Sequence, residues 1–330
     1  MSVAARDVAA AGPAGQRLRQ ALTTSAHRLA RGAILRTADS ELIERWMTAH
    51  GMRLGARRWV PAESLDEIVP VFRALNERGL RGVTGLFDDN AHDETTIARH
   101  EAEYARSIDR MAEERLDAYV GVKLTHLGAY VGEDAMRGAV GRLARRAGAY
   151  GMVLPIDMEH GALVQPTIDL YHRLRADGID NVGLVLQAYL HRSPQDLEDL
   201  LPTGLHVRLV KGAYLEEPGV ALQDRHQIDA AYVRLLERSL ACASFTAIAT
   251  HDPAIVDRAM ALIDALGVPR SRYEFQALYN VGGALQQRIV AAGHPLRIGA
   301  PYGPTWFVYL TRRLAERPAN LTFFLRNAFG

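Results

Sequence analysis

His206-Val207-Arg208-Leu209-Val210 runs directly into Lys211-Gly212-Ala213-Tyr214. The short apolar run reads as a buried strand, and the glycine and polar residues after it read as the loop that leaves its C-terminal end. The same unit recurs along the chain. Further candidate strands lie at residues 82–87, 119–124, 152–156, 182–187, 245–249, 273–276 and 297–300. Longer amphipathic stretches with helical patterning separate most of them, for example residues 137–150, 167–175 and 229–240. Eight strands alternating with helices is the count of a (β/α)8 barrel of the TIM type. A doubly wound sheet is the weaker alternative, because no G-x-G-x-x-G follows the first strand and no G-x-x-x-x-G-K-[ST] occurs. No repeat at fixed spacing suggests a solenoid.

Composition narrows the function classes. The 330 residues suit a barrel as one large domain, and a hydrophobic content of 48% suffices for its core. A formal net charge of +1, with no Lys/Arg block interleaved with aromatics, argues against a nucleic-acid partner. The single cysteine, Cys242, rules out an internal disulfide framework and fits a reducing, cytoplasmic compartment. Set between Ala241 and Ala243, it reads as a buried structural thiol. Residues 1–16 are Ala/Gly-rich without a long apolar run, so they read as a disordered tail rather than a secretory signal. Residues 17–50 carry helical periodicity through Leu18, Leu22, Leu29, Ile34, Leu42, Ile43 and Trp46. The expected organisation is a tail and helical arm over residues 1–55 and a barrel over residues 56–330. No stretch of about 18 apolar residues is present to span a bilayer.

Barrel active sites sit at the C-terminal ends of the strands, and polar residues gather there. Lys123 closes the second strand, Asp157 the third, and Gln187 and Tyr189 the fourth. Arg208, Lys211 and Tyr214 mark the fifth; Thr250, His251 and Asp252 close the sixth; Glu274, Gln276 and Leu278 mark the seventh. Singly, each has a plain explanation as a helix cap or a water-facing residue. Their convergence on one rim is harder to set aside. Metal chemistry is disfavoured, since no H-E-x-x-H or paired Cys/His spacing occurs and His160 and His251 belong to distant strands. A serine hydrolase is disfavoured by the lack of G-x-S-x-G. Schiff-base lyase or aldolase chemistry on Lys123 or Lys211 stays open. So does a flavin: Arg208 and Gln187 suit the isoalloxazine edge, while Lys211, the Gly212 backbone and His251 suit phosphate or ribose.

Near the C-terminus the chain reads Tyr309-Leu-Thr-Arg312-Arg313-Leu-Ala-Glu316. Tyr309, Arg312, Arg313 and Glu316 stand at i, i+3, i+4 and i+7 and share one helix face. Two adjacent guanidiniums beside a phenol and a carboxylate form a clamp for a small carboxylate. The competing explanation is a solvated Arg/Glu face, which such spacing often marks.

Taken together, these segments resemble the proline dehydrogenase family of flavoenzymes. The matching segments, in order, are Val122-Lys123-Leu124-Thr125, Ile156-Asp157-Met158-Glu159, Leu186-Gln187-Ala188-Tyr189 and Val207 through Tyr214. They continue with Ala249-Thr250-His251-Asp252, Glu274 through Tyr279, and Tyr309-x-x-Arg312-Arg313-x-x-Glu316. The resemblance implies a distorted (β/α)8 barrel that binds FAD without a Rossmann domain, with the last helix over the barrel mouth. It implies that Arg312 and Arg313 bind an amino acid carboxylate, that Glu316 steadies them, and that Lys123, Asp157, Tyr214, Leu278 and Tyr309 line the substrate pocket. It assigns FAD contacts to Gln187, Arg208, Val210, Lys211, Gly212, Ala213, Thr250 and His251. The implied reaction is hydride transfer from L-proline to flavin N5, giving Δ1-pyrroline-5-carboxylate. A membrane quinone, reached by peripheral contact from the cytoplasmic face, is the implied electron acceptor. A non-catalytic ligand-binding relative is the remaining alternative, opposed by the intact Lys123, Arg312 and Arg313.

Two departures from the family pattern fall on the substrate side. The last strand reads Arg297-Ile298-Gly299-Ala300-Pro301, with Gly299 where the family usually has a tyrosine; Tyr302 or Tyr279 is the candidate to compensate. After the first strand stands Asp88-Asp89-Asn90-Ala91-His92-Asp93-Glu94 in place of Asp-x-Leu-Gly-Glu, leaving Asp93 or Glu94 as the candidate gating carboxylate. Retained FAD binding with a larger or more polar substrate, such as 4-hydroxyproline, is the corresponding expectation.

Overall fold

A computed structural model describes residue 56 and residues 60–307. The chain divides into two compact units, Arg58–Pro304 and one formed by Met1–Arg57 with Thr305–Gly330. The first unit is the barrel. The helical arm expected over residues 1–55 and the Tyr309–Glu316 segment lie outside the described residues.

The elements alternate as the sequence pattern requires. Helix α1 (Leu65–Glu77) precedes β1 (Arg81–Thr84), then α2 (Glu94–Glu113), β2 (Ala118–Val120), α3 (Glu133–Ala149), β3 (Leu154–Ile156) and α4 (Val164–Ala176). The second half runs β4 (Val182–Gln187), α5 (Ser193–Leu200), β5 (His206–Val210), α6 (Arg225–Cys242), β6 (Phe245–Ala249), α7 (Pro253–Leu266), β7 (Tyr273–Leu278), α8 (Gly283–Ala291) and β8 (Leu296–Gly299). All eight strands pair in parallel in the order β2-β1-β8-β7-β6-β5-β4-β3. The two ends of that order meet through a single bridge, Val122 to Ile156. Val122 donates to the Pro155 carbonyl at 2.9 Å and Asp157 to the Val122 carbonyl at 2.8 Å, so the barrel closes with one thin seam.

Local chemistry sets the boundaries. Ser64, Asp93, Asp224 and Asp252 each cap a helix by accepting a backbone N–H two or three residues on. Strand β4 is buried along its whole length, as expected of a parallel strand covered on both faces. Strand β2 is shorter than the expected 119–124, because the chain passes Gly121 and tightens into a 3-10 turn at Leu124–His126. One sequence expectation fails: Cys242 is exposed, not buried. It lies in the last turn of α6, with Sγ 2.8 Å from Arg238 Nη1.

Two histidines, the partly buried His206 and the buried His126, are held below their ordinary pKa. His206 stacks on Phe245 with centroids 4.2 Å apart, and its pKa is lowered to about 4, chiefly by burial. His126 is lowered to about 3 by burial, with the Lys123 and His100 charges adding to it. The unfolded chain protonates both near their ordinary value, so it binds more protons than the native state as pH falls below about 6.5. Stability should therefore fall on acidification, by up to about 1.4 kcal/mol per pH unit for each histidine. Melting curves between pH 7 and 5 check this; a His206→Phe variant with an equally steep slope would count against the assignment.

Candidate functional site

Strand alternation decides which side chains enter the barrel. On β7, Glu274, Gln276 and Leu278 share the inner face, and on β8 so do Arg297 and Gly299. Glu274 and Arg297 form a buried ion pair: Arg297 Nε donates to Glu274 Oε1 at 2.7 Å, with the carboxylate 0% and the guanidinium 8% exposed. Arg297 also donates to the Gly82 carbonyl at 2.6 Å and lies 4.0 Å over the Tyr119 ring. Arg81 reaches the other Glu274 oxygen at 3.3 Å. Burial by itself would raise the Glu274 carboxyl, but the Arg297 charge and hydrogen bond, Gln276 and Arg81 outweigh it and hold it below its ordinary value. The sequence reading marked Glu274 and Gln276 but missed the pairing of Glu274 with Arg297. The one readable signal was the polar alternation Glu274-x-Gln276 within an otherwise apolar strand.

Above the floor, the structure brings most of the sequence-selected residues to the C-terminal ends of the strands. Arg208 reaches from β5 across β4 to the end of β3, where Nη2 donates to Asp157 Oδ1 at 2.9 Å. Its Nε is buried without a partner among the described residues. Gln187 donates to the Glu159 carbonyl at 2.8 Å. Lys123 sits at the entry to the Leu124–His126 turn, with Nζ 3.4 Å from the Leu86 carbonyl. Glu159 clasps this turn: its carboxylate accepts from Thr125 N at 2.9 Å and Thr125 Oγ1 at 2.8 Å. Both Glu159 and Thr125 stood inside quoted motifs, yet neither was marked as a site residue.

The ends of β4 through β7 are also joined by hydrogen bonds. Ala188 donates to the Val210 carbonyl at 2.8 Å and Tyr189 to the Lys211 carbonyl at 2.9 Å. Gly212 has φ +116° and packs against the Tyr189 ring so closely that a Cβ there would stand 2.1 Å from Cδ1. Ala213 is exposed and Tyr214 partly buried, its ring meeting His160 edge-on at 6.5 Å. Lys211 Nζ donates to both Asp229 and Asp252, the latter at 2.8 Å. Burial would raise Asp252, but the Lys211 hydrogen bond and charge, with backbone donors, bring it down. Thr250 Oγ1 accepts from Asp252 N at 3.1 Å. His251 Nε2 accepts from Leu278 N at 2.9 Å, tying β6 to β7.

Both departures on the substrate side become concrete. Gly299 faces inward, and a Cβ there would meet only ordinary contacts, Leu278 Cδ2 at 3.5 Å and Val83 Cγ1 at 3.8 Å. Backbone geometry therefore does not demand glycine. Tyr302 does not compensate: its hydroxyl is held by Glu103 at 2.6 Å and Ser107 at 2.7 Å on helix α2. As for the gating carboxylate, Asp93 is spent capping α2 through Thr96, and Glu94 is exposed in the first turn of that helix. Asp88 faces Arg99 and His100. No cluster of metal-ligating side chains occurs among the described residues.

A family model described as Proline dehydrogenase matches residues 69–326. The sequence is 31% identical over 296 residues to proline dehydrogenase 1 of Bacillus subtilis (strain 168), covering 90% of this chain and 98% of that one. It is 32% identical over 302 residues to the proline dehydrogenase of Deinococcus radiodurans, covering 89% and 96%. The crystal structure of proline utilization A (PutA) from Bdellovibrio bacteriovorus, inactivated by N-propargylglycine, superposes with a TM-score of 0.75 at 23% identity. That match covers 83% of this chain and 34% of the larger protein, and it shows the fold. A barrel closed from eight parallel strands, the ordered motifs at its rim and relatives matched over nearly their whole length agree: the chain belongs to the proline dehydrogenase family of oxidoreductases.

Proposed function

We propose that the chain oxidises L-proline to Δ1-pyrroline-5-carboxylate with FAD as its resident cofactor. The observation that carries this reading is the Arg208 guanidinium. It stands among the rim residues, fixed at one end by Asp157, with a buried Nε donor that meets no acceptor among the described residues. A buried donor left unmet is costly, so an acceptor brought by a ligand is favoured there. Gly212 is a proposed backbone contact at the same rim, where its φ of +116° and the close Tyr189 ring together require glycine. Gln187, Val210, Lys211, Ala213, Thr250 and His251 complete the proposed cofactor contacts.

When bound, FAD supplies the two-electron acceptor, taking a hydride from the carbon next to the substrate's ring nitrogen. The remaining work falls to side chains. Arg312 and Arg313 bind the substrate carboxylate, with Glu316 steadying them, and Tyr309, Tyr214 and Leu278 wall the pocket. Lys123 and Asp157 orient the substrate from opposite sides of the barrel seam. The amine must give up its proton before oxidation, and clustered cations around the substrate favour its neutral form. A Schiff-base mechanism on Lys211 is disfavoured, because its ammonium is engaged by two carboxylates. The electron acceptor we propose is a quinone, met by peripheral contact at the cytoplasmic face of a membrane. No helix among the described residues is long and apolar enough to cross one.

A second substrate reading rests on Gly299. The missing ring leaves room at the inner face of β8 for a substituent on the substrate, and 4-hydroxyproline is the nearest case. Anaerobic addition of L-proline to the purified protein tests both readings. Bleaching of the visible flavin band is the expected result. A flavin band bleached by 4-hydroxyproline alone would move the substrate, and a protein that takes up no FAD would overturn the cofactor.

A further inference from the structure

The amide of Gln276 is oriented by its neighbours. Glu274 carries a carboxylate that can only accept, and it already receives Arg297 Nε at 2.7 Å and the Tyr119 hydroxyl at 3.3 Å. Gln276 must therefore turn its nitrogen toward Glu274. Nε2 donates to Glu274 Oε1 at 2.8 Å and to the Tyr119 oxygen at 2.7 Å, which uses both amide hydrogens. A flipped amide would set its oxygen against a carboxylate, so the orientation follows from charge.

This accounting leaves the carbonyl oxygen. Oε1 meets no donor among the described residues, although the residue is only 5% exposed, and it is absent from the fully enclosed orphan atoms. It is an acceptor open to the barrel interior. Gln276 pairs in register with Ala249 on β6, and Ala247 on the same strand pairs with Arg208. Two alanines thus separate the Gln276 amide from the Arg208 guanidinium, leaving space between a fixed acceptor and a fixed donor. Leu278 lies one step nearer the mouth on the same face as Gln276.

We propose that Gln276 is a further cofactor contact, its Oε1 accepting the imide N–H of the flavin ring. The inference rests on the FAD reading above. The oxidised isoalloxazine ring carries one N–H, at N3, and it sits in the polar edge of the ring. Glu274 and Tyr119 act through Gln276 as positioning residues: they hold the amide so that only an N–H can be read there.

The test is equilibrium binding to apoprotein, followed by quenching of flavin fluorescence, with FAD and its N3-methyl analogue as probes. Wild-type protein should bind FAD about tenfold more tightly than the N3-methyl analogue, the usual worth of one neutral hydrogen bond in a buried site. Gln276→Leu should weaken FAD by a similar factor and bind both probes alike. Leucine keeps the bulk of the side chain, so a preference caused by crowding of the methyl group would survive the substitution, whereas one caused by the hydrogen bond would vanish. Equal affinity of wild-type protein for the two probes overturns this inference and leaves the cofactor reading intact, as does a preference that persists in the variant. Failure of wild-type protein to bind either probe overturns both. The wild-type comparison needs no substitution, so the result does not hang on whether the variant folds.

Discussion

Arg297→Met is expected to remove about 3–5 kcal/mol of stability at neutral pH, the usual cost of stranding one half of a buried ion pair. For a unit of this size that corresponds to a melting temperature lower by roughly 6–20 °C. Glu274 would lose its strongest partner while staying inside the barrel. Arg81 cannot take over fully, since its contact is longer, at 3.3 Å, and its side chain is 38% exposed. The pH dependence carries the sign of the effect. In the native protein the Glu274 pKa is lowered, so its contribution is present above the unfolded carboxyl value and is lost as pH falls through the native one. Without Arg297, burial dominates and the carboxyl rises, so the variant recovers part of its deficit on acidification. Unfolding curves for both proteins at pH 7.5 and 5 decide the matter. A deficit of equal size at both values would mean that lost packing, rather than a stranded charge, explains the change.

Gly212→Ala is expected to weaken binding of the proposed FAD roughly a hundredfold and to loosen the β4–β5 rim. Two costs combine. The backbone at φ +116° suits only glycine, which costs an alanine about 1–3 kcal/mol, and overpacking of the Cβ against the Tyr189 ring adds about as much again. Tyr189 cannot simply withdraw. Its backbone donates to Lys211 and accepts from Leu222 at 2.7 Å, so moving the ring disturbs the loop from which the proposed cofactor contacts arise. The flavin-to-protein ratio after purification gives the first reading, and hydrogen exchange across residues 188–214 the second. Gly299→Ala is the matched control, since a methyl group there meets nothing closer than 3.5 Å. Comparable flavin loss in both variants would show that Gly212 has no special place.

The barrel was legible because strand-forming runs recur with helical stretches between most of them. The expected strands at 182–187, 206–210 and 245–249 coincide end to end with β4, β5 and β6. Rim residues such as Asp157, Gln187 and Lys211 were legible for the same reason, since the end of a strand names its own position. What escaped were partnerships between distant residues. Glu274 and Arg297 are 23 positions apart on neighbouring strands, and no local spacing announces their pairing. Asp229, on the face of α6, gives no sign that it meets Lys211. Tyr302 looked able to replace the missing ring because sequence distance from Gly299 is short, but its side chain turns outward to α2. Cys242 was misjudged from its small neighbours, which say nothing about where the last turn of a helix points.

The seam between β2 and β3 makes the barrel a clasp rather than a hoop. Seven strand pairs resist widening with extended ladders, and the eighth resists with one bridge and the Glu159–Thr125 catch. With the fewest ladder bonds, that joint is where opening should cost least, and Lys123 and Asp157 stand on its two lips. The width of the mouth is thus governed at one place, so a change in the catch alters access to the interior without altering the walls.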